Sequence, residues 1–318
     1  MKKVFTFLAF TVLAVSSCKK PDKVLYTIDP HPDPVAPTMP GSYTTVSDVF
    51  KNWVPASKTM SFNASSGISF TGTSGTKYSF PANIFCTASG GPVTGSLTIT
   101  ATEYLNKSDM ISSGILPLSD GQQLISAGEL NVTVSQGSQP VFIKPGGVYS
   151  ATIPLKGKDG SGMQLFTAGP ADQGNVNWKV KKSDTMSKIG LVYLPGGDSI
   201  NIFNDSCGYV NCDRFMTNPN YQTFDVNITG VQISSTTDIS AFALYDTYNG
   251  LWQLSSISSN IIHEGHVANT PVHFVVMAVI NGDFYGGIKA ATPSNGQTYS
   301  VQLAKVDPNA FKKQIDAL

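Results

Sequence analysis

The stretch "ELNVTV", residues 129–134, decides the fold. Leu130, Val132 and Val134 alternate with Asn131 and Thr133, so an extended chain carries the three aliphatic side chains on one face. Period two over four to eight residues marks a half-buried strand. "SLTIT" at 96–100 repeats the pattern with Leu97 and Ile99, and "TFDVNI" at 223–228 with Phe224, Val226 and Ile228. "VHFVVMAVI", residues 272–280, is apolar throughout except His273, which predicts a strand buried on both faces. Gly90-Gly91-Pro92 and Pro145-Gly146-Gly147 punctuate the runs, and Asn281-Gly282 and Asn295-Gly296 predict hairpin turns. The whole predicts an all-β chain: two antiparallel β-sandwich domains over 57–155 and 162–306. A short C-terminal helix follows over 307–318, with Asp307 as cap, Pro308 at the first position, and Phe311, Ile315 and Leu318 on one face. The long connection 106–126 breaks the rhythm. It predicts a helical turn capped by Ser108 and a binding surface.

The N-terminus reads differently. Lys2 and Lys3 precede an apolar run of about a dozen residues, too short for the roughly 20 a bilayer span needs, and small residues follow. That order predicts a signal peptide over 1–17. "VSSC", ending at Cys18, resembles the lipobox of bacterial lipoproteins, which implies cleavage before Cys18 and acyl chains on it. Several chains on one residue anchor stably. Lys19 stands where an Asp would favour inner-membrane retention, so the expected address is the outer membrane, on its periplasmic or cell-surface face. Prolines at 21, 30, 32, 34, 37 and 40 predict an extended tether, placed over 18–56.

Lys plus Arg and Asp plus Glu each number 21, and charged residues make up 13% of the chain. Its single arginine is Arg214. With no basic stripe to displace counterions, nucleic acid is excluded as an expected partner. Beyond Cys18 the cysteines are Cys86, Cys207 and Cys212. The spacing leaves a disulfide between Cys207 and Cys212 open; on a straight strand the two would point to opposite faces, so a bridge requires a turn at Gly208 or Asn211.

No G-x-S-x-G elbow, phosphate loop or catalytic cysteine motif is present, so no catalytic residue, metal ligand or cofactor is assigned. His263 and His266 have the spacing H-x-x-H rather than H-E-x-x-H, with no third ligand nearby except Glu264 or distant Asp residues. "DTM" and "DSI" resemble O-glycosylation sites of Bacteroidetes-type envelope proteins, which implies sugar on Thr185 and Ser199. Trp178, Tyr209, Tyr245, Tyr248 and Trp252 are the aromatic candidates for sugar contact, although core packing accounts for at least three. Arg214 serves either an internal ion pair or a carboxylate clamp.

"FPANIFCTASGGPVTGSLTITATEYLNKSDMI", "LISAGELNVTVSQGSQPVFIKPG" and "GYVNCDRF" together resemble a family of uncharacterised Bacteroidetes-type outer-membrane lipoproteins, with distant similarity to ZU5-like β domains. The resemblance implies fold and location and no activity. The expected function is a lipid-anchored envelope protein that binds or scaffolds, with a glycan or an envelope protein as partner. A glycan-acting hydrolase using carboxylates from separate strands is the alternative, and a purely structural component the third.

Overall fold

The computed structural model of the chain describes residues 43–168, 176–184 and 188–318. Cys18 and Thr185 lie outside them. The first group of strands is β1 (Lys58–Asn63), β2 (Ile68–Thr71), β3 (Lys77–Phe80), β4 (Phe85–Cys86), β5 (Ser96–Tyr104), β6 (Leu118–Ser119), β7 (Gln122–Gln136), β8 (Gln139–Pro140), β9 (Phe142–Ile143), β10 (Tyr149–Pro154), β11 (Gln164–Ala168), β12 (Trp178–Val180), β13 (Gly190–Tyr193), β14 (Ser199–Asn204) and β15 (Gly208–Phe215). One sheet runs β1-β5-β7-β15-β11-β12 and the facing sheet β13-β14-β10-β3-β2. The alternation read at 96–100 and 129–134 faces inward: Leu97, Ile99, Leu130, Val132 and Val134 meet Tyr149, Ala151, Ile153, Ile200 and Ile202 in one core. Stacked rings reinforce the second sheet, with Phe80 and Tyr149 at 4.5 Å and Phe70 and Tyr78 at 4.9 Å.

The second sandwich uses β16 (Tyr221–Thr229), β17 (Asp238–Tyr245), β18 (Leu251–Leu254), β19 (Ser256–Ser258), β20 (Ile261–Ala268), β21 (Val272–Ile280), β22 (Asp283–Ala291), β23 (Thr298–Gln302) and β24 (Ala304–Lys305). Its sheets run β19-β20-β16-β23 and β18-β17-β21-β22-β24. Asn281 and Gly282 take left-handed backbone (φ 52° and 84°), and a two-residue turn joins β21 to β22 as expected. Asn295-Gly296 behaves otherwise. Only Gly296 is left-handed, and the chain there crosses to the other sheet, where β23 lies parallel to β16. Asn295 accepts the Thr223 N–H through its side chain instead of turning a hairpin.

The sheets divide near residue 216, not between 155 and 162. β14 pairs with β10, and β15 pairs with β7, so residues 162–215 complete the first sandwich. Lys156 and Gly157 form a turn within it rather than a linker. Residues 43–56, expected as part of the tether, are instead packed into the body. Helix α1 (Val46–Phe50) is closed by a capping box between Thr45 and Asp48, and Val46, Val49 and Trp53 are fully buried.

These residues enter a further core between the sandwiches. The outer face of β21 (Val275, Met277, Val279) packs with Tyr104 and Phe166 from the first sandwich. The opposite face of β21 (Phe274, Val276, Ala278) fills the second sandwich, so this strand is indeed buried on both sides. Helix α2 (Lys107–Ser113) supplies Met110 and Ile111, and helix α3 (Pro308–Asp316) supplies Phe311 and Ile315. Asp307 caps α3 by accepting the Ala310 N–H at 2.8 Å. Most of the 106–126 connection is therefore buried packing, while Asn106, Lys107, Ile125 and Ser126 reach a cleft where the sandwiches meet. Ser108 lies inside α2, where it bonds Asp316 and accepts from Lys312, and caps nothing.

Candidate functional site

A cleft of ≈ 470 Å³ opens where the two sandwiches meet. One wall is the turn after β10, carrying Lys156, Lys158 and Asp159, together with Arg214 on β15. Lys156 and Gly157 are both left-handed (φ 51° and 86°), which loops the chain outward and leaves Lys156 exposed. The loop 246–249 of the second sandwich forms the opposite wall with Asp246, Tyr248 and Asn249. The start of α2 and the end of α3 close the third side. A bulge in β7 opposite Cys212 and Asp213 shifts the register, and there the Ser126 N–H donates to the Asn249 carbonyl at 2.9 Å. The Asn249 amide donates back to the Ser126 carbonyl at 3.1 Å, so these two bonds pin the walls together.

The charges are arranged unevenly. Arg214 bonds Asp159 at 2.7 Å and the Ser161 carbonyl at 2.6 Å, and it holds the Asp159 carboxyl below its ordinary value. Asp246 pairs with His273 at 2.7 Å, and Asp316 with Lys312 at 2.9 Å. Every side-chain carboxylate lining the cleft thus has a basic partner. Lys107 donates to the Tyr245 carbonyl and to an oxygen of the Leu318 α-carboxylate, and Lys158 to the Leu105 and Ala127 carbonyls. Burial lowers both ammonium groups, that of Lys158 to about 8 with Lys156 adding repulsion.

Behind this wall lies a pair of carboxyls that sequence reasoning missed. Val210 and Cys212 face the core of the first sandwich, so Asn211 and Asp213 face the other way, beside Glu129 of β7. Glu129 and Asp213 have no exposed surface. The Asn211 amide reaches Asp213 at 2.6 Å and Glu129 at 3.4 Å, while Glu129 Oε2 and Asp213 Oδ1 have no hydrogen-bond partner among the described residues. Burial pushes Asp213 up to about 8 and raises Glu129 well above the carboxylate range, with the Asp213 carboxyl further opposing ionisation of Glu129. The visible signal was Asp213 two residues after Asn211 on a strand of period two.

The sequence candidates scatter. Arg214 and Tyr248 come together in the cleft. Trp178 and Tyr245 are fully buried instead: the Trp178 indole donates to the Leu116 carbonyl at 3.1 Å, and the Tyr245 hydroxyl to Gln123 at 3.0 Å. Tyr209 is half-buried, edge-on to Trp178 at 6.3 Å. Trp178 and Tyr245 are therefore not surface contacts. Trp252 lies on a separate surface, stacked on His266 at 5.6 Å, with Tyr221 edge-on to His266 at 6.1 Å. His263 bonds Asp225 at 2.7 Å, and His266 approaches Glu264 at 3.3 Å. The bulge opposite Gln222 and Phe224 turns both histidines to the exposed side, where a straight strand would oppose them. Ser199 begins β14 and is half-buried. Cys207 and Cys212 are free thiols. Gly208 and Asn211 both belong to β15, so no turn brings the sulfurs together.

No protein-family model matches the chain, and no curated protein matches it significantly.

Proposed function

We propose that this chain is an outer-membrane lipoprotein, anchored through acyl chains on Cys18, that binds a saccharide in the cleft between its sandwiches. The carrying observation is the composition of that cleft. The Tyr248 ring stands among Asn106, Thr247 and Asn249, which offers a stacking face beside amide and hydroxyl groups suited to a polyhydroxylated ligand. The shared core and the Ser126–Asn249 bonds hold the walls in place, so the site is pre-organised and binding costs little ordering. The basic partners on Asp159, Asp246 and Asp316 favour binding over acid–base hydrolysis.

A glycan array probed with the full-length chain in detergent tests the reading. The wild type and a Trp252→Ala variant should bind the same glycans, and a Tyr248→Ala variant should lose them. Retention by Tyr248→Ala with loss by Trp252→Ala would move the site to the Trp252–His266–Tyr221 surface. Binding of envelope proteins and of no glycan would replace the saccharide with a protein partner.

A further inference from the structure

We infer that the ligand of this cleft carries an oxyanion, a carboxylate or a phosphate, on a polyhydroxylated scaffold, and that Lys107, Lys156 and Lys158 receive it. The inference deepens the saccharide-binding reading and rests on it. Four cationic side chains and three side-chain carboxylates line the cleft. Asp159 is paired with Arg214 and Asp316 with Lys312, while Asp246 hydrogen-bonds His273 and also favours the charged form of Lys107; His273 and Lys312 come from outside the lining. Among the described residues, none of the three cleft lysines forms an ion pair with a side chain. Lys107 and Lys158 spend two donors each on main-chain oxygens, which leaves one N–H of each ammonium unspent. Lys156 has no hydrogen-bond partner among the described residues and extends from an exposed turn at the mouth.

A largely buried ammonium without a side-chain ion-pair partner is costly, and burial lowers the Lys158 ammonium to about 8, with Lys156 adding repulsion. An entering oxyanion removes that cost by accepting from all three. Arg214 adds to the same field: among the described residues only one terminal nitrogen is engaged, with Asp159 and Ser161, and the guanidinium carries five donors. The cleft volume suits a molecule of one or two sugar rings. Tyr248 faces the scaffold, and the lysines face the charge.

Isothermal titration calorimetry of the full-length chain in detergent tests the inference with three probes: cellobiose, cellobiouronic acid and inorganic phosphate. The acidic disaccharide should bind at least about tenfold more tightly than the neutral one, the usual gain from a charge-assisted hydrogen bond. Lys156→Gln, a change at an exposed position, should remove most of that preference. Tighter binding of phosphate than of cellobiouronic acid would assign the anion to a phosphorylated ligand, and the reverse order to a uronic acid; either upholds an oxyanion site. Equal affinity for the two disaccharides, or an unchanged preference in Lys156→Gln, would overturn the inference. If cellobiose then binds and Tyr248→Ala abolishes it, the saccharide reading survives alone. If neither a disaccharide nor phosphate binds, both fall.

Discussion

Replacing Asp213 with asparagine should stabilise the protein, and more so as pH rises. Asp213 is fully buried, shares the Asn211 amide with Glu129, and leaves Oδ1 without a partner. Its ordinary value is 3.8, and burial raises it to about 8. Between those values the folded chain holds a proton that the unfolded chain has released. Folding stability therefore falls as pH climbs from about 4 to about 8, the reverse of a salt-bridged carboxylate. Each unit corresponds to about 1.4 kcal/mol, so three units give an upper bound of about 4 kcal/mol. Relaxation of the buried pair reduces this to on the order of 2 kcal/mol between pH 5 and pH 8. The amide introduced by Asp213→Asn is isosteric with the carboxyl, and its oxygen could still accept from the Asn211 side chain. The window stops at pH 8 because Lys158, lowered to about 8, contributes its own pH dependence above that point. Urea unfolding followed by tryptophan fluorescence at pH 5 and pH 8 reads the difference. A variant destabilised equally at both values would refute the assignment of a buried carboxyl held protonated by the fold.

Three further outcomes test the fold. Trp53→Ala should lose about 3–5 kcal/mol in the same unfolding assay, because Trp53 is 1% exposed and packs edge-on to Phe284 at 6.0 Å; a loss below about 1 kcal/mol would return residues 43–56 to the tether. Gly286→Ala should loosen α3, since a Cβ there would stand 2.6 Å from the Phe311 ring; faster amide exchange over 308–316 checks it, and unchanged exchange contradicts it. In the native protein Cys212 should resist a thiol reagent, because its thiol is buried and its pKa raised by burial; after unfolding, Cys86, Cys207 and Cys212 should all react without reductant, whereas a bridge would leave only Cys86.

Local patterns were the legible part of the fold. The alternation at Leu130, Val132 and Val134 gives a strand and its inner face, and the unbroken run 272–280 gives a strand with two buried faces, which the structure occupies with two different cores. Partner choice was not legible. β10 meets β14 across some 45 residues and β7 meets β15 across some 80, and nothing in either pattern names its partner. Hence the turn at Lys156-Gly157 resembles a domain linker in sequence and is a cleft wall in space. Helix α1 was hidden because five residues give too few apolar positions to show a period, although the Thr45–Asp48 cap is visible. Arg214 and Tyr248 could be singled out as rare or aromatic residues. Lys107, Lys156 and Lys158 could not: a lysine near a turn ordinarily reads as solvated, and only the meeting of two sandwiches and a terminal helix brings these three to one cleft.

Hydrogen exchange of the full-length chain, with and without a saturating glycan chosen from the array, tests the central claim most directly. Protection should appear at 156–159 and 246–249, the two walls of the cleft, with residues 221–223 and 263–266 unchanged. Protection confined to the latter two segments, or absent from both walls while the glycan is bound, would contradict a binding site between the sandwiches.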